Sequence, residues 1–137
     1  MVQEVILMAM ARTAVLFSLC VTLLAWATLA APPCRAIVLG IAQDGGIPQI
    51  GCEQPICRTQ HHFVSSLALE GESSVLLIDA TPDLREQYRE LIRRFPELMR
   101  KNLFDGIFLT HAHMGHYTGL MYLGKESISA QKVPAFG

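Results

Sequence analysis

Three of the five histidines in this chain lie close together, at His111, His113 and His116. They follow a short apolar segment, residues 107–109, that has the composition of a buried strand. Residues two apart in an extended chain project to the same side, so His111 and His113 can face one ion. A turn towards a helix would bring His116 back to the same pocket. Neutral imidazole binds zinc, iron, copper and nickel, so the spacing predicts a metal site; the alternative is three solvent-exposed histidines in a loop.

Other polar residues have plainer expected roles. Asp79 ends an apolar segment, residues 74–79, and we expect it to orient a loop or to support a metal-binding histidine without touching the metal. Asp44 lies in a glycine-rich loop and is expected to be a turn residue. His61 and His62 have no partner pattern, so we expect them to be structural or exposed.

Two cysteines, Cys52 and Cys57, bracket a short segment. Outside the cytoplasm such a pair can form a disulfide. It can also be half of a structural zinc site, which would need a further ligand such as Cys34 or His61. Two reduced cysteines are the third alternative, and the spacing does not choose among them.

The elements that must position these residues follow from apolar periodicity and turn signals. A long loop is predicted over residues 43–60, a two-residue hairpin turn at 71–72, and an amphipathic helix that Thr81 caps and Pro82 begins. A second helix is predicted from Tyr117 to Leu123. The predicted strands are residues 35–40, 65–70, 74–79, 107–109 and 133–136. Strands interleaved with helices predict a mixed α/β fold.

The N-terminal segment differs in character from the rest of the chain. Residues 13–31 carry no charge, follow Arg12 and end in small residues. This pattern is typical of a cleaved secretory signal, and its length also suits a membrane anchor or a buried helix. We therefore divide the chain into residues 1–31, a signal peptide or anchor, and residues 32–137, one domain. An exported or membrane-anchored protein is expected.

The histidine segment resembles the signature of the metallo-β-lactamase superfamily. Residues 109–120, LTHAHMGHYTGL, are similar to the superfamily form Thr-His-x-His-x-Asp-His followed by Gly-Leu. Residues 77–80, LIDA, match the apolar strand ending in an aspartate that precedes this signature. The resemblance runs from about residue 36 to residue 137.

Within that superfamily the chain looks like the pyrroloquinoline quinone biosynthesis protein B-like members. Residues 38–40 and 44–49 are similar to the beginning of those proteins, which continue with a Cys-x-Cys-x-x-Cys zinc clip. Cys52 and Cys57 occupy the outer positions of the clip and Gln54 the middle one.

The resemblance implies an αββα sandwich, of which residues 32–137 would form the N-terminal half, a mixed sheet with helices on one face. It implies that His111 and His113 hold one metal, zinc or else iron, and that His116 serves a second. The fold then implies a metal-dependent hydrolase in which metal-activated water attacks an ester, amide or phosphodiester.

Two departures from the family pattern bear on that expectation. Gly115 stands where the superfamily has a metal-binding aspartate. No histidine follows His116, and Glu126 is the only later carboxylate, so we expect the family's other ligands in a C-terminal half. The site in this chain is then incomplete, and one sheet face is expected to be uncovered.

Two other functions remain open from the sequence. The chain could be an exported relative without catalysis, or a metal-dependent oxidase of the quinone-cofactor biosynthesis type. The formal charge of −1 gives no basic field, so no nucleic-acid partner is expected. The expected partners are a small-molecule substrate of unknown identity and, through residues 13–31, a membrane.

Overall fold

The structure is a computed structural model that describes residues 33–137. The predicted signal or anchor, residues 13–31, lies outside the described residues. Among residues 33–137, no helix combines the length and the apolar character needed to cross a bilayer.

The described residues form a mixed sheet whose strands lie in chain order. The strands are β1 (Arg35–Gly40), β2 (Ser66–Glu70), β3 (Val75–Ile78), β4 (Gly106–Phe108) and β5 (Ala135–Phe136). The first three form an antiparallel meander, while β4 is parallel to β3 and β5 is parallel to β4. Since β1 also runs parallel to β3, the carboxyl ends of β1, β3, β4 and β5 meet at one edge. The predicted mixed α/β fold is confirmed.

Short and long helices connect the strands. The α-helices are α1 (Pro55–Thr59), α2 (Leu84–Arg94) and α3 (Met114–Tyr117), and two 3₁₀ segments span Pro96–Leu98 and Thr118–Leu123. Of these, α2 has the clear apolar face that its sequence predicts. Leu84 and Leu91 on that face are fully buried against the sheet.

One row of side chains crosses the sheet and forms its buried face. Strand register aligns Ile37 with Ala68, Ala68 with Leu77, and Leu77 with Ile107. All four are buried and pack with residues of α2 in one cluster. Burial of this apolar row stabilises the domain. The row also determines which face of the sheet the helices cover.

The neighbouring row lies on the opposite face of the sheet. Register aligns Val38, Leu67, Ile78, Phe108 and Phe136 across all five strands. Val38, Phe108 and Phe136 are 55%, 40% and 51% exposed. Among the described residues this face is therefore only partly covered, as the sequence predicts.

The start of α2 differs from its prediction by a few residues. The helix begins at Leu84, and Thr81 lies outside it, although the Thr81 hydroxyl accepts the backbone N–H of Asp83 as a capping residue does. That hydroxyl also donates to Gln87, whose amide donates to the carbonyl of Val64. The Asp83 carboxylate accepts the Val64 N–H. Helix α2 is thus fastened to the segment that precedes β2.

Three local predictions were wrong. The region over residues 43–60 contains α1, because Pro55 suits a first helical position. The hairpin joins β2 to β3 through four residues, closed by Gly71 N–H donating to the carbonyl of Ser74. The helix after β4 begins at Met114 rather than Tyr117, and continues as a 3₁₀ segment.

Candidate metal centre

Three loops bring the candidate ligands together at one edge of the sheet. The loop after β1 carries Asp44, the end of β3 carries Asp79, and the segment after β4 carries the histidines. Because β1, β3 and β4 run in the same direction, these loops leave the sheet at the same edge. Open sheets commonly place binding sites at the carboxyl ends of their strands.

The three histidines form a compact group. The ring centroid of His111 lies 4.6 Å from that of His113 and 4.1 Å from that of His116. His111 Nε2 and His113 Nδ1 are 3.1 Å apart. The side chain of His116 is only 11% exposed, whereas that of His113 is 70% exposed. The predicted convergence of the three imidazoles is thus present in the structure, with His116 at its floor.

Thr110 links the buried Asp79 to His111. The Asp79 carboxylate accepts the Thr110 backbone N–H at 2.8 Å and the Thr110 hydroxyl at 2.9 Å. Having donated its one proton to the carboxylate, the hydroxyl must accept from His111 Nδ1, which lies 2.9 Å away. This fixes the tautomer with the proton on Nδ1, so that His111 Nε2 is left as an acceptor whose lone pair faces His113 Nδ1.

Asp79 also supports His116. Asp79 Oδ2 lies 2.8 Å from His116 Nδ1, in a close contact that is not aligned as a linear hydrogen bond. The backbone holds the pair, because the Ala80 N–H donates to the His116 carbonyl and the Asp79 N–H donates to the Phe108 carbonyl. Asp79 therefore contacts His116 directly and His111 through Thr110, and its support of a metal-bound histidine stays a prediction.

Asp44 contacts His116 at Nε2, the ring nitrogen opposite the one that faces Asp79. Its Oδ1 lies 2.9 Å from His116 Nε2, and its Oδ2 lies 3.1 Å from His113 Nδ1. The contact with His116 lowers the pKa of the Asp44 carboxyl. Burial lowers the pKa of His116, but the carboxylates of Asp79 and Asp44 outweigh burial and raise it overall. Two carboxylates thus favour positive charge at this point.

The donor set suits a divalent metal. One donor atom each from Asp44, His111 and His116 lie within 4.8 Å of one another. Ligands of a tetrahedral zinc at about 2.0–2.1 Å are about 3.4 Å apart, so these atoms need only small rotations. Imidazole with carboxylate is a donor combination that zinc and iron both accept. The residues present therefore fit a metal ion.

The remaining predicted site residues lie elsewhere. Cys52 and Cys57 form a disulfide with a Cα–Cα distance of 6.1 Å, which leaves no thiolate for the alternative zinc clip. His61 packs edge-on against Phe63, and His62 contacts Gln60. These residues do not join the metal centre.

An apolar cleft of about 210 Å³ opens beside His111. Leu109, Ala112 and Tyr117 contribute to its walls, so an apolar portion of a small molecule could lie next to the histidines.

Asp44 is the site residue that sequence reasoning missed. Its place among glycines is typical of a turn, and it does lie in one, since the Gly46 N–H donates to the Gln43 carbonyl. The order of the strands could have predicted that Asp44 lies near the histidines. In a meander of three strands, β1 and β3 end at the same edge, and the loop after β1 therefore reaches the site.

Comparison with known proteins finds similarity over part of the chain. Residues 75–137 match the family model described as Beta-lactamase superfamily domain. Coenzyme PQQ synthesis protein B of Methylobacterium radiotolerans is 34% identical over 99 residues, which cover 65% of this chain. The chain spans only 33% of the length of that relative.

Two solved structures share the fold. A diphosphatase from the PhnP family is 27% identical with a TM-score of 0.56, over 75% of this chain and 41% of that one. Zn(2+)-bound PqqB from Methylobacterium extorquens has a TM-score of 0.59 at 22% identity, over 74% of this chain and 44% of that one.

Proposed function

We propose that this chain, which carries part of a metallo-β-lactamase fold close to that of the PqqB-like members, provides the metal-binding half of a metal-dependent hydrolase. One observation supports this most directly. Three imidazoles converge at the carboxyl ends of parallel strands, and a buried carboxylate orients two of them.

His111, His113 and His116 would hold the ion. When bound, a divalent metal supplies Lewis acidity and an activated water to a hydrolytic site. The chain itself supplies the positioning. Asp79 and Thr110 keep the proton of His111 on Nδ1, and the burial of His116 restricts water at the floor of the site.

The substrate class remains ester, amide or phosphodiester. A solved structure with this fold is a diphosphatase of the PhnP family, which favours a phosphorus-containing substrate, and therefore the phosphodiester, as the first of these classes to test. The apolar cleft beside His111 would receive the leaving group or an apolar part of such a substrate.

Metal content tests the proposal. We expect the purified full chain, loaded with zinc and then desalted, to retain about one equivalent by mass spectrometry of the metal. The double variant His111→Ala, His113→Ala should retain almost none. The double variant His61→Ala, His62→Ala removes two histidines outside the site and should bind as the wild type does. Equal metal content in all three proteins would refute the proposal.

A second candidate is a metal-dependent oxidase of the quinone-cofactor biosynthesis type. The relatives named coenzyme PQQ synthesis protein B favour it. Iron retained in preference to zinc, with oxygen consumption and without ester hydrolysis, would favour this alternative. Metal binding with neither reaction would favour a non-catalytic relative.

We also propose that the protein is exported or membrane-anchored. The charge-free segment, residues 13–31, supports this proposal. The disulfide between Cys52 and Cys57 also supports it, because disulfides persist in oxidising compartments.

A further inference from the structure

We propose that Asp44 is a metal ligand, and that it replaces the aspartate which the superfamily signature carries at the position of Gly115. This inference rests on the proposed metal centre and adds a ligand to it. The carboxylate would come from the loop after β1 rather than from the histidine segment.

The Asp44 carboxylate lies between two of the histidines that would hold the metal. Its two oxygens lie 2.9 Å from His116 Nε2 and 3.1 Å from His113 Nδ1. His116 Nδ1 faces Asp79, so Nε2 is the nitrogen left for a metal. A metal between His116 Nε2 and Asp44 would replace their mutual contact with two bonds to one cation.

Gly115 packs directly against Asp44. A Cβ built on Gly115 would lie only 2.7 Å from both the carbonyl oxygen and the Cβ of Asp44. These atoms belong to backbone or to a short side chain, so no rotamer change relieves the overlap. The lack of a side chain at Gly115 therefore does more than remove a possible ligand. Its missing side chain leaves the space through which the Asp44 loop approaches His116.

The loop that carries Asp44 is held in place on both sides. The Ala42 N–H donates to the Phe63 carbonyl, and Ile47 and His62 exchange two backbone hydrogen bonds. The turn closed by Gly46 lies between these anchors. These backbone hydrogen bonds hold the loop on the course that brings the Asp44 carboxylate to the histidines, as expected of a ligand and not required of a surface turn residue.

Zinc affinity of the full chain tests this inference. The protein is stripped with a chelator and titrated with Zn²⁺ alone against a chromophoric competitor. We expect Asp44→Asn, which keeps the size of the side chain, to weaken zinc binding by at least about 100-fold, beyond the effect typical of an outer-shell residue. Co²⁺ substitution should also show a changed visible absorption band, since the donor set changes.

Glu53→Gln is the matched control, because it removes an exposed carboxylate from the same loop. It should bind zinc as the wild type does. If Asp44→Asn binds Zn²⁺ with wild-type affinity and an unchanged Co²⁺ spectrum, the inference is wrong while the metal centre stands. If the wild type binds no zinc, the proposed function itself fails.

Gly115→Asp gives an independent test. Restoring the signature aspartate should weaken zinc binding at least about tenfold, because the new Cβ displaces the Asp44 loop. Circular dichroism establishes that each variant is folded. Tighter zinc binding by folded Gly115→Asp would overturn the inference, since it would mean that the site lacks a carboxylate that position 115 can supply.

Discussion

Asp79 shows how one residue can set the chemistry of several others. It lies in the left-handed region with φ of 63°, it is buried, and its carboxylate meets both Thr110 and His116. A backbone in this conformation favours glycine, asparagine or aspartate among the residue types. The position therefore selects for a residue that tolerates the turn and also accepts hydrogen bonds.

Asp79→Asn separates the charge from the backbone conformation, because asparagine tolerates the same φ. We expect zinc affinity to fall about 10- to 100-fold, since His111 and His116 lose the carboxylate that orients them. A chelator competition assay on the full chain measures the change.

Asp105→Asn provides a comparison for Asp79→Asn. The Asp105 carboxylate also accepts a backbone N–H, that of Val75, but it lies away from the metal centre. It should lower stability without changing zinc affinity. An equal loss of affinity in both variants would show that Asp79 acts through general stability.

At the scale of elements, the segment after α3 is packed backbone against backbone. The Gly119 N–H donates to the Ala80 carbonyl, and the Ala80 N–H donates to the His116 carbonyl. A Cβ on Gly119 would lie 2.8 Å from the carbonyl carbon of Ala80. The position of His116 thus depends on a close approach that only glycine permits.

Gly119→Ala should lower the free energy of unfolding by about 1–3 kcal/mol, because the added methyl group has no space. Urea denaturation followed by circular dichroism measures this. Gly71→Ala, where the nearest atom to the new methyl group is the Ser74 hydroxyl at 3.3 Å, should change stability much less. Similar losses in the two variants would contradict the packing argument.

Much of this element-level arrangement could be predicted from local patterns. The apolar alternation of β2 and β3 and the spacing of Leu84 and Leu91 indicate strands and a helix on their own. The hairpin turn and the start of α3 depend on hydrogen bonds that no local signal specifies. Asp44 was missed for a similar reason, since its contact with His116 joins residues 72 positions apart.

At the scale of the whole molecule, the described residues leave an apolar surface on the face of the sheet opposite the helices. The row that contains Val38, Phe108 and Phe136 crosses all five strands, and the rings of Phe108 and Phe136 stack with centroids 4.9 Å apart. A continuous apolar row differs from scattered exposed side chains because it presents one surface to a probe or to another chain.

We expect Phe108→Ser to reduce the binding of an apolar fluorescent dye and the self-association of the chain, measured by dye fluorescence and light scattering. Ile50→Ser removes an equally apolar but fully exposed side chain outside the sheet, and should change neither. Equal effects of the two substitutions would mean that the row does not act as a surface.

The close approach of Gly115 to Asp44 also has an evolutionary consequence. A lineage cannot move the carboxylate between these positions by one substitution, because an aspartate at 115 collides with the loop and a loss at 44 leaves no carboxylate beside Nε2 of His116. The course of the β1 loop and the residue before the last histidine should therefore be inherited as a unit. Descendants that regain aspartate at 115 are expected to have rerouted that loop first, through an insertion or deletion between β1 and β2.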